Sequence, residues 1–230
     1  MLKAVLFDYG GTLDSDGIPW LDRFFPIYRQ AGLEAPWEDF KRAFYDSDDR
    51  LPERFSLEGL DLEETVALQV RCVVDRLAAA CAEAGREALA RSVTRSFVDS
   101  SRRQLERNRP LLERLRSRYR LGIVSNFYGN LEGILRREGL GGLFSVVADS
   151  HRLGCLKPDK ALFLHAARGA GAEPRECLMV GDSPGRDMKG AENAGMPHAW
   201  LAGERSDARA CCAGTPVLRT LLDLEAALEP

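Results

Sequence analysis

Lys3-Ala4-Val5-Leu6-Phe7-Asp8-Tyr9-Gly10-Gly11-Thr12-Leu13-Asp14 is an apolar run that stops at an acidic residue and a double glycine. Lys3 to Phe7 predicts a short strand covered on both faces, because a helix needs more length before its first breaker. Asp8 then falls at the carboxyl end of that strand. Open parallel sheets bind ligands just beyond those ends, so a carboxylate there is offered to a site and not hidden in a core. Side chains alternate along extended chain, which puts Asp8 and position 10 on one side and Tyr9 on the other. Taken alone, the stretch is equally well read as an incidental Asp before a glycine turn.

The chain has 230 residues, 45% hydrophobic and 29% charged. That is material for one large domain, or for a medium domain carrying a smaller one, and it excludes disordered and fibrous classes. No apolar run approaches the ~20 residues of a bilayer span. A net charge of -3 gives no general attraction to nucleic acid or to anionic membranes. Cys72, Cys81, Cys155, Cys177, Cys211 and Cys212 form no C-x-x-C pair and no zinc spacing, and they are expected to be reduced. The first strand begins almost at once, and on that reading no secretory leader is expected. A cytoplasmic protein is expected.

From about Ser15 to Arg109 the periodicity is helical, with Trp20, Phe24, Ile27 and Tyr28 on one face, then Leu62, Val66, Val70, Val73 and Leu77, then Leu89, Val93 and Phe97. Pro36, Pro52 and Gly59 with Asp61 read as breaks, and Gly85 as the separator of the two longer helices. The acidic run Asp46-Ser47-Asp48-Asp49 lacks the Gly of a calcium loop and reads as a solvated loop or helix start. After Leu111 strands and helices alternate, the signature of a parallel sheet. The predicted strands are Leu121 to Val124, Phe144 to Ala148, Leu178 to Val180 and Ala199 to Leu201. The predicted helices run from Leu131 to Glu138, Lys160 to Arg168 and Arg186 to Asn193, ending at Gly139, at Gly169 and before Gly195. Strands end in Ser125-Asn126, Asp149-Ser150 and Gly181-Asp182-Ser183, so polar groups converge on one sheet edge. The arginines between Arg102 and Arg120 are interleaved with Glu106 and Glu113 and lack stacking aromatics, as a solvated helix face would be.

Four motifs in order carry a family resemblance: Asp8-Tyr9-Gly10-Gly11-Thr12, Ser125-Asn126, Lys157-Pro158, and Gly181-Asp182-Ser183-Pro184-Gly185-Arg186-Asp187. On these residues the chain resembles the haloacid dehalogenase superfamily, in its phosphatase-like branch with a helical cap inserted after the first strand. The resemblance implies an α/β fold, a Rossmann-like doubly wound parallel sheet at residues 1–15 and 110–230 with an α-helical cap at 16–109. It implies that Asp8 attacks phosphorus to give an aspartyl-phosphate, splitting one hard displacement into two. Lys157 supplies the cation, while Ser125, the Asn126 backbone and Thr12 hold phosphate oxygens. Magnesium is the implied cofactor, held by Asp8, the Gly10 carbonyl and Asp182, with Asp187 on a metal-bound water or orienting Lys157. The implied partner is a small phosphorylated metabolite, with no nucleic acid or membrane.

The pattern breaks at position 10, where phosphatases of the family carry a second Asp that protonates the leaving oxygen. Gly10 keeps a carbonyl for the metal but has no acid, a function worth about 10²–10⁴ in rate. Asp14 and Asp16 follow in the flap and substitute only if it folds back. Four readings stay open: a phosphate-ester hydrolase with weakened or substrate-assisted acid-base chemistry, a binding or regulatory protein on the same fold, and a phosphonate or a haloacid hydrolase. The haloacid branch carries Tyr at position 10 and does without magnesium, and the phosphonate branch uses a cap lysine, for which Lys41 is the sole candidate. Trp20, Asp16 and Phe127 are candidate pocket borders. His151, His165 and His198 have neither ligand nor triad spacing.

Overall fold

A computed structural model describes residues 1–79, 82–205 and 214–228. The chain divides into two compact units, Met1–Pro19 with Arg103–Pro230, and Trp20–Arg102. In chain order the elements are β1 (Ala4–Phe7), α1 (Trp20–Gln30), α2 (Trp37–Arg54), α3 (Leu62–Leu77), α4 (Glu83–Arg116), β2 (Arg120–Ser125), α5 (Leu131–Arg137), β3 (Val146–Asp149), α6 (Ser150–Leu153), α7 (Lys160–Gly169), β4 (Cys177–Gly181), α8 (Lys189–Ala194), β5 (His198–Leu201), β6 (Val217–Leu218) and α9 (Leu224–Leu228).

The first unit is a parallel α/β sheet of order β3-β2-β1-β4-β5-β6. All four residues of β1 are buried, as the continuous apolar run required. β1 lies between β2 and β4, with Phe7 opposite both Ile123 and Val180. That register places the residues just after Phe7, Ile123 and Val180 on one edge, and Ser125 pairs there with Asp149. Leu162, Phe163, Ala166 and Ala167 of α7 pack on one face, in a cluster with Leu6, Val124 and Met179. Burying a side chain of this size contributes about 1.5–3 kcal/mol, which holds the sheet edge as a rigid platform.

The second unit is helical, with Phe24, Tyr28, Phe40, Phe44, Val66, Val70 and Phe97 buried. Phe24 and Phe97 stack with centroids 3.8 Å apart and planes 3° from parallel. Asp61 caps α3 by accepting the Glu64 N–H at 2.9 Å, and Glu64 returns a bond to the Asp61 N–H at 2.8 Å, a reciprocal capping box.

Several expected boundaries move. The acidic run lies inside α2, which buries Phe40, Ala43, Phe44, Ser47 and Leu51 at helical spacing, and the Asp46 carboxylate is met there by Arg50, Arg54 and Arg76 at 3.5, 3.0 and 3.1 Å. Pro52 sits in the last turn of α2 and does not end it. Gly85 falls in the first turn of α4, and α4 continues through Pro110 to Arg116. β3 starts at Val146, after Phe144 and Ser145. α7 includes Gly169, and it is Gly171, with φ +65°, that takes the left-handed turn. Pro184–Met188 forms a separate wider turn before α8, and β6 was not foreseen.

Candidate active site

Asp8 leaves β1 with its own N–H donating to the Val180 carbonyl at 3.0 Å, which fixes it between β1 and β4. Three donors then converge on its Oδ1: the Tyr9 N–H at 2.7 Å, Ser125 Oγ at 2.8 Å and Lys157 Nζ at 2.8 Å. The carboxylate is thereby held in one orientation, and Oδ2 has no partner among the described residues. Lys157 Nζ also donates to Asp187 Oδ1 at 2.7 Å and to the Val124 carbonyl at 3.0 Å. Burial works against its ammonium, but Asp187 and Asp8 hold it protonated above its ordinary range.

Asp182 and Asp187 complete the cluster. The ligand-capable oxygens of Asp8, Asp182 and Asp187 lie within 4.8 Å of one another, and all three residues are buried. Thr12 Oγ1 donates to Asp182 Oδ1 at 3.2 Å, and the Ser183 N–H to Asp187 Oδ2 at 3.0 Å. Burial, then the charges of Asp187 and Asp8, push the Asp182 carboxyl well up. Burial pushes Asp187 up to about 6 despite Lys157 beside it. Three buried carboxylates share one buried lysine, so the pocket is short of positive charge. Hard oxygen donors at this spacing fit a magnesium ion, which needs only one or two carboxylates beside its waters.

Two glycines make this crowding possible. A Cβ on Gly181 would stand 2.4 Å from the Asp187 carboxyl carbon, and one on Gly11 would stand 2.7 Å from the Asp182 carboxylate. Gly11 also has φ +90°, where a side chain is strained. Gly10 is ordinary backbone, φ −74° and ψ 119°.

The sequence-predicted residues Asp8, Thr12, Ser125, Asn126, Lys157, Asp182 and Asp187 are joined by these contacts. Thr12 rests on Asp182, and the Asn126 side chain accepts the Lys157 N–H at 2.8 Å. The flap acids are engaged elsewhere: Asp14 accepts the Gly11 N–H at 2.7 Å, while Asp16 pairs with Arg107 and accepts the Leu221 N–H at 3.0 Å. Phe127 packs edge-on against Tyr9, and Trp20 packs on Phe24 and Phe97, so both are packing residues. His198 bonds Met196 and Thr215, and no histidine belongs to the metal-capable cluster among the described residues. Cys177, buried and donating to the Glu173 carbonyl, has its thiol pushed up to about 11 by burial. Cys81, Cys211 and Cys212 lie outside the described residues. The Asp182 carbonyl accepts from Trp200 Nε1 at 3.0 Å and Arg205 Nη2 at 3.1 Å. Neither residue carries a local signal that points to Asp182.

The family model for haloacid dehalogenase-like hydrolases matches residues 2–195, and the chain belongs to that family. It is 33% identical over 117 residues to pyrimidine 5'-nucleotidase YjjG of Escherichia coli, a match covering 50% of this chain and 52% of the relative. The match thus spans about half the length of that curated relative. Among solved structures it resembles 2-haloacid dehalogenase from Pseudomonas syringae pv. Tomato DC3000, at TM-score 0.58 and 24% identity over 99% of this chain and 98% of the other. It also resembles YfnB of Bacillus subtilis, solved bound to magnesium, at TM-score 0.58 and 21% identity over 99% and 98%. No described helix is long and apolar enough to cross a membrane.

Proposed function

We propose that the protein is a magnesium-dependent phosphate-ester hydrolase working through an aspartyl-phosphate on Asp8, with weakened or substrate-assisted acid-base chemistry. The observation that carries this is the convergence of Tyr9 N–H, Ser125 and Lys157 on one oxygen of Asp8, which leaves the other for attack. Residues Asp8, Asp182 and the Gly10 carbonyl would hold magnesium, with Asp187 behind them. The ion would neutralise charge on the phosphoryl oxygens when bound.

In the first step Asp8 Oδ2 forms a bond to phosphorus as the bond to the leaving oxygen breaks, and that oxygen departs with the electron pair. Ser125 Oγ and Lys157 Nζ, which donate to Asp8 Oδ1 without a substrate, would turn those donors to the phosphoryl oxygens when an ester enters. Water then attacks the aspartyl-phosphate, releasing phosphate and restoring Asp8. Asp187 keeps Lys157 charged and aimed. No acid stands at position 10, and Asp14 and Asp16 are committed to Gly11 and to Arg107 and Leu221. The leaving group therefore departs unprotonated or takes a proton from the substrate itself.

A helical cap segment, drawn at 16–109 between core segments 1–15 and 110–230 and containing the compact unit Trp20–Arg102, selects a small phosphorylated metabolite. The chain works in the cytoplasm. A panel of phosphorylated metabolites and aryl phosphates, assayed with and without magnesium, tests the reading. Magnesium-dependent turnover with aryl esters far ahead of alkyl esters of equal size is expected. A folded protein that binds magnesium and turns over no ester sinks it. That outcome favours the second reading, a binding or regulatory protein, for which Gly10 and the committed flap acids speak.

A further inference from the structure

Ser125 ends β2 and Asn126 opens the loop to α5, which is held from the neighbouring strand. Asp149, at the end of β3 opposite Ser125, is 1% exposed. Its carboxylate accepts the Gly129 N–H on both oxygens at 3.0 and 2.9 Å, the Leu131 N–H at 3.4 Å and the His151 N–H at 3.0 Å. Ser150 beside it accepts the Phe127 N–H at 3.0 Å and donates to the Phe127 carbonyl at 3.1 Å. Arg152 Nε donates to the Gly129 carbonyl at 2.5 Å. The same segment runs on to Lys157, whose N–H donates to Asn126 Oδ1. The two loops are therefore tied at both ends, by Asp149 at one and by Asn126 at the other.

A four-residue helix such as α6 has no need of a buried charge at its start, since a neutral Ser or Asn caps as well. Burial pushes the Asp149 carboxyl up, and the N–H groups of Leu131, His151 and Gly129, with the charge of Arg152, pull it partly back. Hydrogen bonds to an ionised group are roughly twice as strong as neutral ones. The ionised form is thus worth keeping only where the loop must be held hard. A misplacement of about 1 Å costs a catalytic site about 10²-fold.

We infer that Asp149 is a positioning residue for the phosphoryl pocket: its carboxylate locks the Phe127–Leu131 loop to the start of α6 and so sets Ser125 against Lys157. The inference rests on the phosphate-ester reading and names a residue through which that site is built.

The test is a titration of the full chain with inorganic phosphate at saturating magnesium, followed by ³¹P NMR, alongside magnesium calorimetry. Asp149→Ala is expected to weaken phosphate binding tenfold or more and to leave magnesium affinity within twofold, because Asp8 and Asp182 stand on other strands. Asp149→Asn, which keeps one acceptor oxygen, should recover part of the loss. Equal phosphate affinity in folded Asp149→Ala overturns the inference, and so does a parallel loss of both affinities, which would mean general loosening. If Asp149→Ala does not fold, Asp149→Asn decides: a loss of threefold or more at unchanged magnesium affinity supports the inference, and no loss overturns it. Wild-type protein that binds magnesium but no phosphate overturns the phosphate-ester reading itself.

Discussion

Lys157 places its ammonium 2.8 Å from Oδ1 of Asp8, with side-chain exposures of 2% and 11%. A pair this deep leaves the surviving partner costly when one is removed. Lys157→Met strips the buried cation from both Asp8 and Asp187, and it should cost about 3–5 kcal/mol of stability at pH 7.5. Urea denaturation measures it. Adding Asp187→Asn should return part of the loss, since the two residues share one interaction. Strictly additive losses in the double variant would show that the pairing is not coupled.

The second prediction concerns Asp182. Its carboxyl is crowded by Asp187 and Asp8, so Asp182→Asn removes a charge that the metal-free protein does not need. Magnesium binding by calorimetry should disappear, while the melting temperature without metal stays level or rises. Unchanged magnesium affinity would rule out Asp182 as a ligand.

The pH dependence has a definite sign. Asp187 holds its proton to about 6 in the fold against an ordinary 3.8, so between those values the native state binds more protons than the unfolded chain. This group's contribution to metal-free stability therefore falls as pH rises through that window, and its full penalty is present above about 6. Magnesium needs the ionised carboxylates, so its affinity should weaken as pH falls through 6, with protons released on binding. Calorimetry at pH 5.5 in two buffers of different ionisation enthalpy reads that release directly. Identical heats in both buffers would contradict it.

Position 10 can be refilled. Its φ of −74° is open to any residue, so Gly10→Asp pays no left-handed penalty and puts a carboxyl two residues after Asp8. Alkyl-phosphatase activity should rise tenfold or more, inside the range of about 10²–10⁴ that acid-base catalysis supplies. A folded variant that binds magnesium and gains nothing on any ester would favour the regulatory reading.

Much of this molecule was legible because strands in a parallel sheet are short apolar runs with polar ends. Val5-Leu6-Phe7 into Asp8, and Leu178-Met179-Val180 into Gly181-Asp182, each declare both a core and an edge. Elements set by distant partners were not legible. The acidic run of α2 is carried by the buried face of Phe40, Ala43, Phe44 and Leu51 around it, and β6 is two residues whose strand pairing is with β5. The helical segment is expected to end at about Arg109, yet Leu105, Leu111, Leu112 and Leu115 are buried on either side of Pro110, and that packing carries α4 on to Arg116. In the site the charged residues were visible one by one. The hold of Trp200 and Arg205 on the Asp182 carbonyl was not, since the three residues stand on separate segments of the chain.

The empty places at Gly11 and Gly181 bear on how the charge cluster responds to its surroundings. Because each carboxylate occupies the volume a methyl group would claim, the spacing among the negative groups is set by main chain anchored in β1 and β4. Such anchors do not spread under repulsion the way flexible side chains do. The pocket therefore behaves as a loaded spring of charge at neutral pH, and it relaxes by taking up a cation or a proton and not by changing shape. Gly181→Ala would unload that spring mechanically, by pushing Asp187 aside. A variant without any altered charge would then lose its grip on Lys157.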